Sequence, residues 1–376
     1  MSLLSSKDSV NKRIKYGGTT VFLDTDLDLA GKSFEPISNS SSNYFSGTYD
    51  GQVRTISNLK IESTSFVHPA LFGICMNFTI RNTAISSSSS ITSFYKSSGK
   101  GNSYIANTVG IGRACLIENI VNMADLTYSG DTGDHNLHFG GIVGWLESKE
   151  YTTSSTRNCV NYGTLTYSGK STGVVEIGGI VSIILHSYNK TLIQNCANYG
   201  KIISKGPVTM RKVYLTGIVS YGHDDKTTIE NCLSVGKIES NKESDFIGSI
   251  VKRRTKNPLD CNITNSFWTG DVGYGNEAEG FNYTLINSYP VEKLNKTTAN
   301  ELNSYMSEKS GWTSWFTLHL NGGRINDNNQ TDLIVTQNQF PDPAISGNTF
   351  VGWFKDAACT QLVYPRESNG VDLYAC

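Results

Sequence analysis

The sequence predicts an all-β chain wound as a right-handed parallel β-helix, three strands per coil with a repeat of about 36 residues, followed by a short helix and a small C-terminal unit. Three observations predict it. The composition is rich in turn formers and strand formers, with 36 Gly, 19 Tyr and abundant Ser, Thr and Asn, but only 8 Pro. A short motif, NCVNYG at 158–163, returns as NCANYG at 195–200 and NCLSVG at 231–236. Two further β-type runs recur around it at the same period.

The repeat is set by asparagine rather than cysteine. Aligned on the residue before the cysteine, the pattern takes in Asn58, Asn82, Asn119, Asn158, Asn195, Asn231 and Asn265, at intervals of 24, 37, 39, 37, 36 and 34 residues. The following position holds Leu59, Thr83, Ile120, Cys159, Cys196, Cys232 and Ser266, so cysteine is one small or apolar choice among several. Ahead of each copy stands an ALFG, GGIVG, GGIVS, TGIVS or GSIVK run, with Ile142, Ile180 and Ile218 spaced by 38 and 38. Behind it stands GTLTYSG, GKIISKG or GKIESN. Stacked coils of three such runs would share one continuous core that a single coil cannot form. In TIENCLS, Ile229 is expected to point in, Glu230 out, and Asn231 to sit at a corner. Stacked Asn82, Asn119, Asn158, Asn195, Asn231 and Asn265 side chains would then bond into a ladder along the axis. A propeller of about seven blades needs ~40–45 residues and four strands per repeat, which suits these intervals less well.

The strand pattern breaks over 291–309. Thr298 and Glu301 have capping-box spacing, and Leu302, Tyr305 and Met306 make an apolar helix face, so a short helix is expected to cover the open end of the coils. The expected division is 1–290, 291–315 and 316–376.

Two stretches carry a resemblance. VFLDTDLDLAGKSFEPIS, then YFSGTYDGQVRTISNLKI, then ALFG and GGIVG, resemble bacterial surface proteins built from GLUG-type β-helix repeats over residues 17–290, with a departure at Gln52–Arg54. LNGG at 320–323, Pro341, Pro343, Phe350, GWF at 352–354, Asp356, Ala357, Cys359 and LYA at 373–375 resemble the Listeria–Bacteroides repeat. Here Cys376 stands where that family runs on as LYAKW. The second resemblance implies a small β-grasp-like module. Both imply an adhesin-like, extracellular or cell-surface protein with no shared enzymatic activity.

Charge and hydropathy narrow the partners. Charged residues make up 17% and the net charge is −1, which gives no electrostatic footprint for nucleic acid. No apolar run is long enough to span a bilayer, and MSLLSSKDSVNKRIKYGG has no apolar segment of a signal peptide. Cys159, Cys196 and Cys232 read as buried small hydrophobes or as metal ligands, but no histidine accompanies them. Cys359 and Cys376 are the better disulfide pair. Asp24, Asp26 and Asp28 alternate, so they are either Ca²⁺ ligands or the polar face of a terminal coil. Asp131, Asp134 and His135, and His223, Asp224 and Asp225, read as solvated turns or as acid–base groups. Tyr162 and Tyr199, one coil apart, read as a sugar platform or as cladding, and Trp353 of the GWF motif is a further binding candidate. The sequence therefore expects a non-catalytic adhesin-like structural and binding protein contacting glycans or host or matrix surfaces, with no cofactor or metal. The competing expectation is a carbohydrate-active β-helix enzyme, a lyase or glycoside hydrolase.

Overall fold

The computed structural model describes residues 17–40, 42, 44–64, 68–94, 101–185, 188–207, 213–222, 226–241, 245–251, 261–269, 283–291, 296–306, 315–325, 331–336, 341–363 and 372–376. The chain winds as a parallel β-solenoid, and repeat partners lie side by side. Leu137, Val175 and Val213 are in register on one wall, and Val143, Val181 and Val219 on the next. Thr156, Ile193 and Ile229 share a third wall, and Leu165, Ile202 and Ile238 a fourth. These inward residues form one continuous core, each large aliphatic side chain contributing roughly 1.5–3 kcal/mol on burial. Tyr128 stacks on Tyr167 inside it, ring centroids 6.0 Å apart.

Each coil is more finely divided than the sequence suggests. The coil after Gly173 has five strand segments: Val175–Gly178, Val181–Ile184, Thr191–Gln194, Ala197–Asn198 and Ile202–Ser204. They belong to three hydrogen-bonded sheets of 5, 6 and 18 strands. The long sheet carries on round the corners, and the strands Phe72–Ile85 and Val109–Asn122 pass through them unbroken. The GGIV runs are thus corners between two strands, not strands. A Cβ on Gly179 would lie 2.1 Å from Gly217 O of the next coil, so glycine is what lets the coils close there.

Alternation fails on one flank, and the flank is covered. The outward residues Ala84, Val121, Val160, Ala197, Leu233 and Phe267 line up in register. They are buried against the helix and the C-terminal module. The helix α1 spans Lys296–Met306, starting ahead of Thr298, which is buried in its first turn and is no N-cap. Its described contacts run to the flank rather than over the coil end: Ala299 and Leu302 join the apolar stripe, and Tyr305 donates to Glu230 Oε2 at 3.0 Å. The Met306 side chain lies outside the described residues. Asn303 then ties the helix to the module, donating to Trp315 O and accepting from Trp315 N at 2.9 and 2.7 Å.

The module is a mixed four-stranded sheet in the order Asp332–Thr336, Trp315–His319, Asp372–Ala375, Trp353–Phe354. Its central pair is parallel and the outer pairs antiparallel. Cys359 and Cys376 form a disulfide with Cα atoms 6.0 Å apart.

Candidate functional site

The NCVNYG corner explains its own residues. Asn58, Asn82, Asn119, Asn158, Asn195, Asn231 and Asn265 all have left-handed backbones, with φ between 47° and 56°. Asparagine adopts that region more readily than other side-chain-bearing residues, and here its amide is used as well. Asn195 donates to Asn158, Asn231 to Asn195 and Asn265 to Asn231, at 2.6, 2.7 and 2.7 Å. Asn287 extends the ladder to Asn265 at 2.6 Å, and Asn119 donates to Asn82 at 2.8 Å. The ladder is interrupted between Asn119 and Asn158: Asn119 Oδ1 is buried with no hydrogen-bond partner among the described residues. Asn58 stands apart and donates to Asp28 at 2.8 Å.

A second ladder, not foreseen from the sequence, starts three residues later. Asn122 donates to Asn161 at 2.7 Å, and Asn161 to Asn198 at 2.8 Å. In this ladder the earlier coil donates, the reverse of the first. Each amide also donates to a carbonyl of its own coil two residues on, Ala124, Gly163 or Gly200. The signal was present as Asn-x-x-Asn in NIVN, NCVN and NCAN.

Between the ladders Cys159, Cys196 and Cys232 point into the core. Burial pushes the Cys159 and Cys232 thiols up. Their Sγ atoms sit near backbone carbonyls, Cys196 at 3.2 Å from Gln194 O. Among the described residues no group of three His, Cys, Asp or Glu side chains is placed to hold a metal ion.

Tyr162 and Tyr199 are not a platform open to sugars. They stack at 5.4 Å, but are 3% and 2% exposed, within the cluster formed with the module. Tyr199 OH donates to Ile334 O and accepts from Ile334 N, both at 2.7 Å. Trp353 is likewise buried, edge-on to Phe350 in the module's core. All three were binding candidates; packing of the module against the coils and of its own sheet covers them.

The acidic candidates hold turns. Asp24 lies outside the short strands Thr20–Phe22 and Leu27–Asp28, so the three aspartates do not alternate along one strand. Asp26 accepts from Thr55 N at 2.9 Å, and Asp28 from Ala30 N and Asn58 Nδ2. Those bonds hold the Asp28 carboxyl below its usual value, the Asn58 amide foremost. Asp131 accepts from Gly133 N in a turn, and an exposed Asp134 lies 3.7 Å from a partly buried His135. His223, Asp224 and Asp225 lie outside the described residues.

Two outward rows carry further charged side chains. On one wall Asp50, Arg81, Glu118, Arg157, Gln194 and Glu230 are in register. Arg81 pairs with Asp50 at 2.9 Å, Arg157 with Glu118 at 2.7 Å, and Gln194 donates to Glu230. On the wall before the GGIV corner, Tyr104, His138, Glu176 and Tyr214 are in register. His138 Nδ1 lies 2.7 Å from Glu176 Oε2, each side chain 2% exposed, and Tyr104 stacks on the imidazole at 4.8 Å. His138 Nε2 is buried without a hydrogen-bond partner among the described residues. Arg113 lies over Trp145 and reaches Glu147 at 2.8 Å beside this row. The sequence reading missed the row because it began each repeat at GGIV and left out the strand before it.

No protein-family model, curated protein or solved structure matches this chain.

Proposed function

We propose that the protein is a non-catalytic, adhesin-like structural and binding protein of a cell surface or the extracellular space, an elongated scaffold that contacts glycans or host or matrix surfaces. The observation that carries this reading is the outward charged row from Asp50 to Glu230. Its carboxylates are bonded to arginines and amides of adjacent coils, so they serve axial cohesion instead of standing as an acid–base pair across a cleft. Support also comes from the two family resemblances in the sequence. The test is to incubate the protein with a polysaccharide panel and measure new reducing ends and unsaturated products, alongside binding to immobilised glycans and matrix proteins. Binding without product supports the reading; product release overturns it.

One observation favours a second reading, a carbohydrate-active enzyme. The buried His138–Glu176 pair, with an Nε2 that has no partner among the described residues, has the make-up of an oriented general base. Product release that disappears in His138→Ala, with the fold intact by circular dichroism, would establish it.

A further inference from the structure

We propose that the molecule binds an uncharged polysaccharide chain in an open groove that crosses the first coils. The inference rests on the surface-binding reading above and names its ligand class and its site.

The groove has a volume of about 530 Å³. Thr20, Thr48 and Thr79 line it from successive coils, in ladder register. Neighbouring coils stand ~4.8 Å apart, so these hydroxyls recur at a fixed step along the axis. Asn77 adds an exposed amide, and Thr152 and Thr153 line the groove further along the axis. None of the lining side chains is charged.

That lining selects by chemistry. A polyanionic chain entering the groove would lose hydration with no cation among the described lining residues to offset it. A neutral polyhydroxylated chain loses less. Threonine hydroxyls both donate and accept, and the asparagine amide does the same through two atoms, which matches sugar hydroxyls in either orientation. An extended polymer also suits a site whose donors repeat along one line.

An exposed aromatic residue adjoins the lining residue Thr152 in the chain. Tyr151, next to Thr152 in the turn closed by the Lys149–Thr152 bridge, is 88% exposed. Its hydroxyl donates to Glu150 at 3.0 Å, which leaves the ring faces open. An amphipathic ring there is placed to receive the apolar face of a sugar. The tyrosine expected to do this from the repeat, Tyr162 or Tyr199, is under the module; the exposed one lies outside the repeat motif.

Affinity electrophoresis through gels cast with neutral polysaccharides (a β-glucan, a mannan, an arabinoxylan and a galactan), with polygalacturonate as the anionic control, tests the site. The comparison uses the full chain, Tyr151→Ala and Thr153→Arg, both at exposed positions, each checked for an unchanged melt. At least one neutral polymer retards the parent protein, Tyr151→Ala weakens that retardation about tenfold, and Thr153→Arg abolishes it. Retardation unchanged in both variants overturns the groove while leaving the surface-binding reading in place. No retardation by any neutral polymer overturns the inference, and the matrix-binding assay then decides the broader reading. Retardation by polygalacturonate that Tyr151→Ala removes overturns the ligand class. Product release overturns the non-catalytic reading, and the variant comparison still decides the groove.

Discussion

Asn195 meets two demands with one side chain: its backbone is left-handed, and its amide bonds both axial neighbours. The two demands can be separated by substitution. Asn195→Ala loses both, leaving Asn158 Oδ1 and Asn231 Nδ2 without this partner at about 1–3 kcal/mol each and adding roughly 1–2 kcal/mol of backbone strain. Asn195→Gly keeps the backbone relaxed and loses only the bonds. Cys196→Ser leaves backbone and volume nearly unchanged. Urea melts are expected to rank the losses Ala > Gly > Ser; if Cys196→Ser is the most destabilising, the ladder is not what holds this corner. The recurrence of asparagine at the equivalent place in every repeat made its importance legible in the sequence. The reason was not, because a left-handed φ leaves no mark on composition beyond a preference for Asn that turns also produce. Asp50 belongs to the same scale. Burial raises its carboxyl, but the Asn82 amide, the Gln52 N–H and Arg81 outweigh that and hold it low. A carboxyl held low stabilises the fold above its unfolded value, near 3.9, and that stability is lost as pH falls through the folded value. Thermal melts are expected to show an acid-linked loss below about pH 4 that Asp50→Asn reduces. At neutral pH the same substitution costs about 1 kcal/mol, since Arg81 is partly exposed and its attraction is screened.

Pairs of adjacent apolar residues carry the lesson at the scale of elements. Ile120–Val121, Cys159–Val160, Cys196–Ala197 and Cys232–Leu233 break the in–out alternation of a half-exposed strand. A strand apolar on both faces is covered on both faces, so the covered flank was written in the sequence, in residues set aside for their cysteines. What covers it was not legible, because contacts between the coils and the module join positions far apart in the chain and have no periodicity. The register of the coils was readable from the repeat; the division into five segments was not, since a corner within a hydrogen-bonded ladder looks like a continuous strand. The Tyr199 hydroxyl is the polar centre of the flank contact. Tyr199→Phe removes a donor and an acceptor while keeping the ring stack, and leaves Ile334 N–H and C=O unpaired with it. Hydrogen exchange at Ile334 is expected to accelerate, and the module to lose about 1–3 kcal/mol. Unchanged exchange at Ile334 would show that the apolar stripe alone docks the module.

At the scale of the whole molecule, two cohesive designs meet. The coils are held by repetition, through an apolar core, two amide ladders and a charged row, none involving a covalent cross-link: Cys75, Cys115, Cys159, Cys196, Cys232 and Cys261 are buried free thiols. The module has a small sheet and one disulfide closing a separation of 17 residues. Reductant therefore acts on the module selectively. Calorimetry with and without reductant is expected to show the module destabilised by about 3 kcal/mol, with the transition of the coils unshifted; a shift of the coils instead would mean the two unfold as one unit. The docking geometry has a mechanical consequence. By sequence the module follows the last coil, yet Tyr199 seats it on a coil well back from that end. Tension applied at Cys376 is therefore borne first by the flank contact, in shear along the axis, and enters the solenoid mid-body. The terminal coils, each paired with a coil on one side among the described residues, are loaded only after that contact slips, and the rate of slipping rather than equilibrium stability sets how long the molecule withstands the pull.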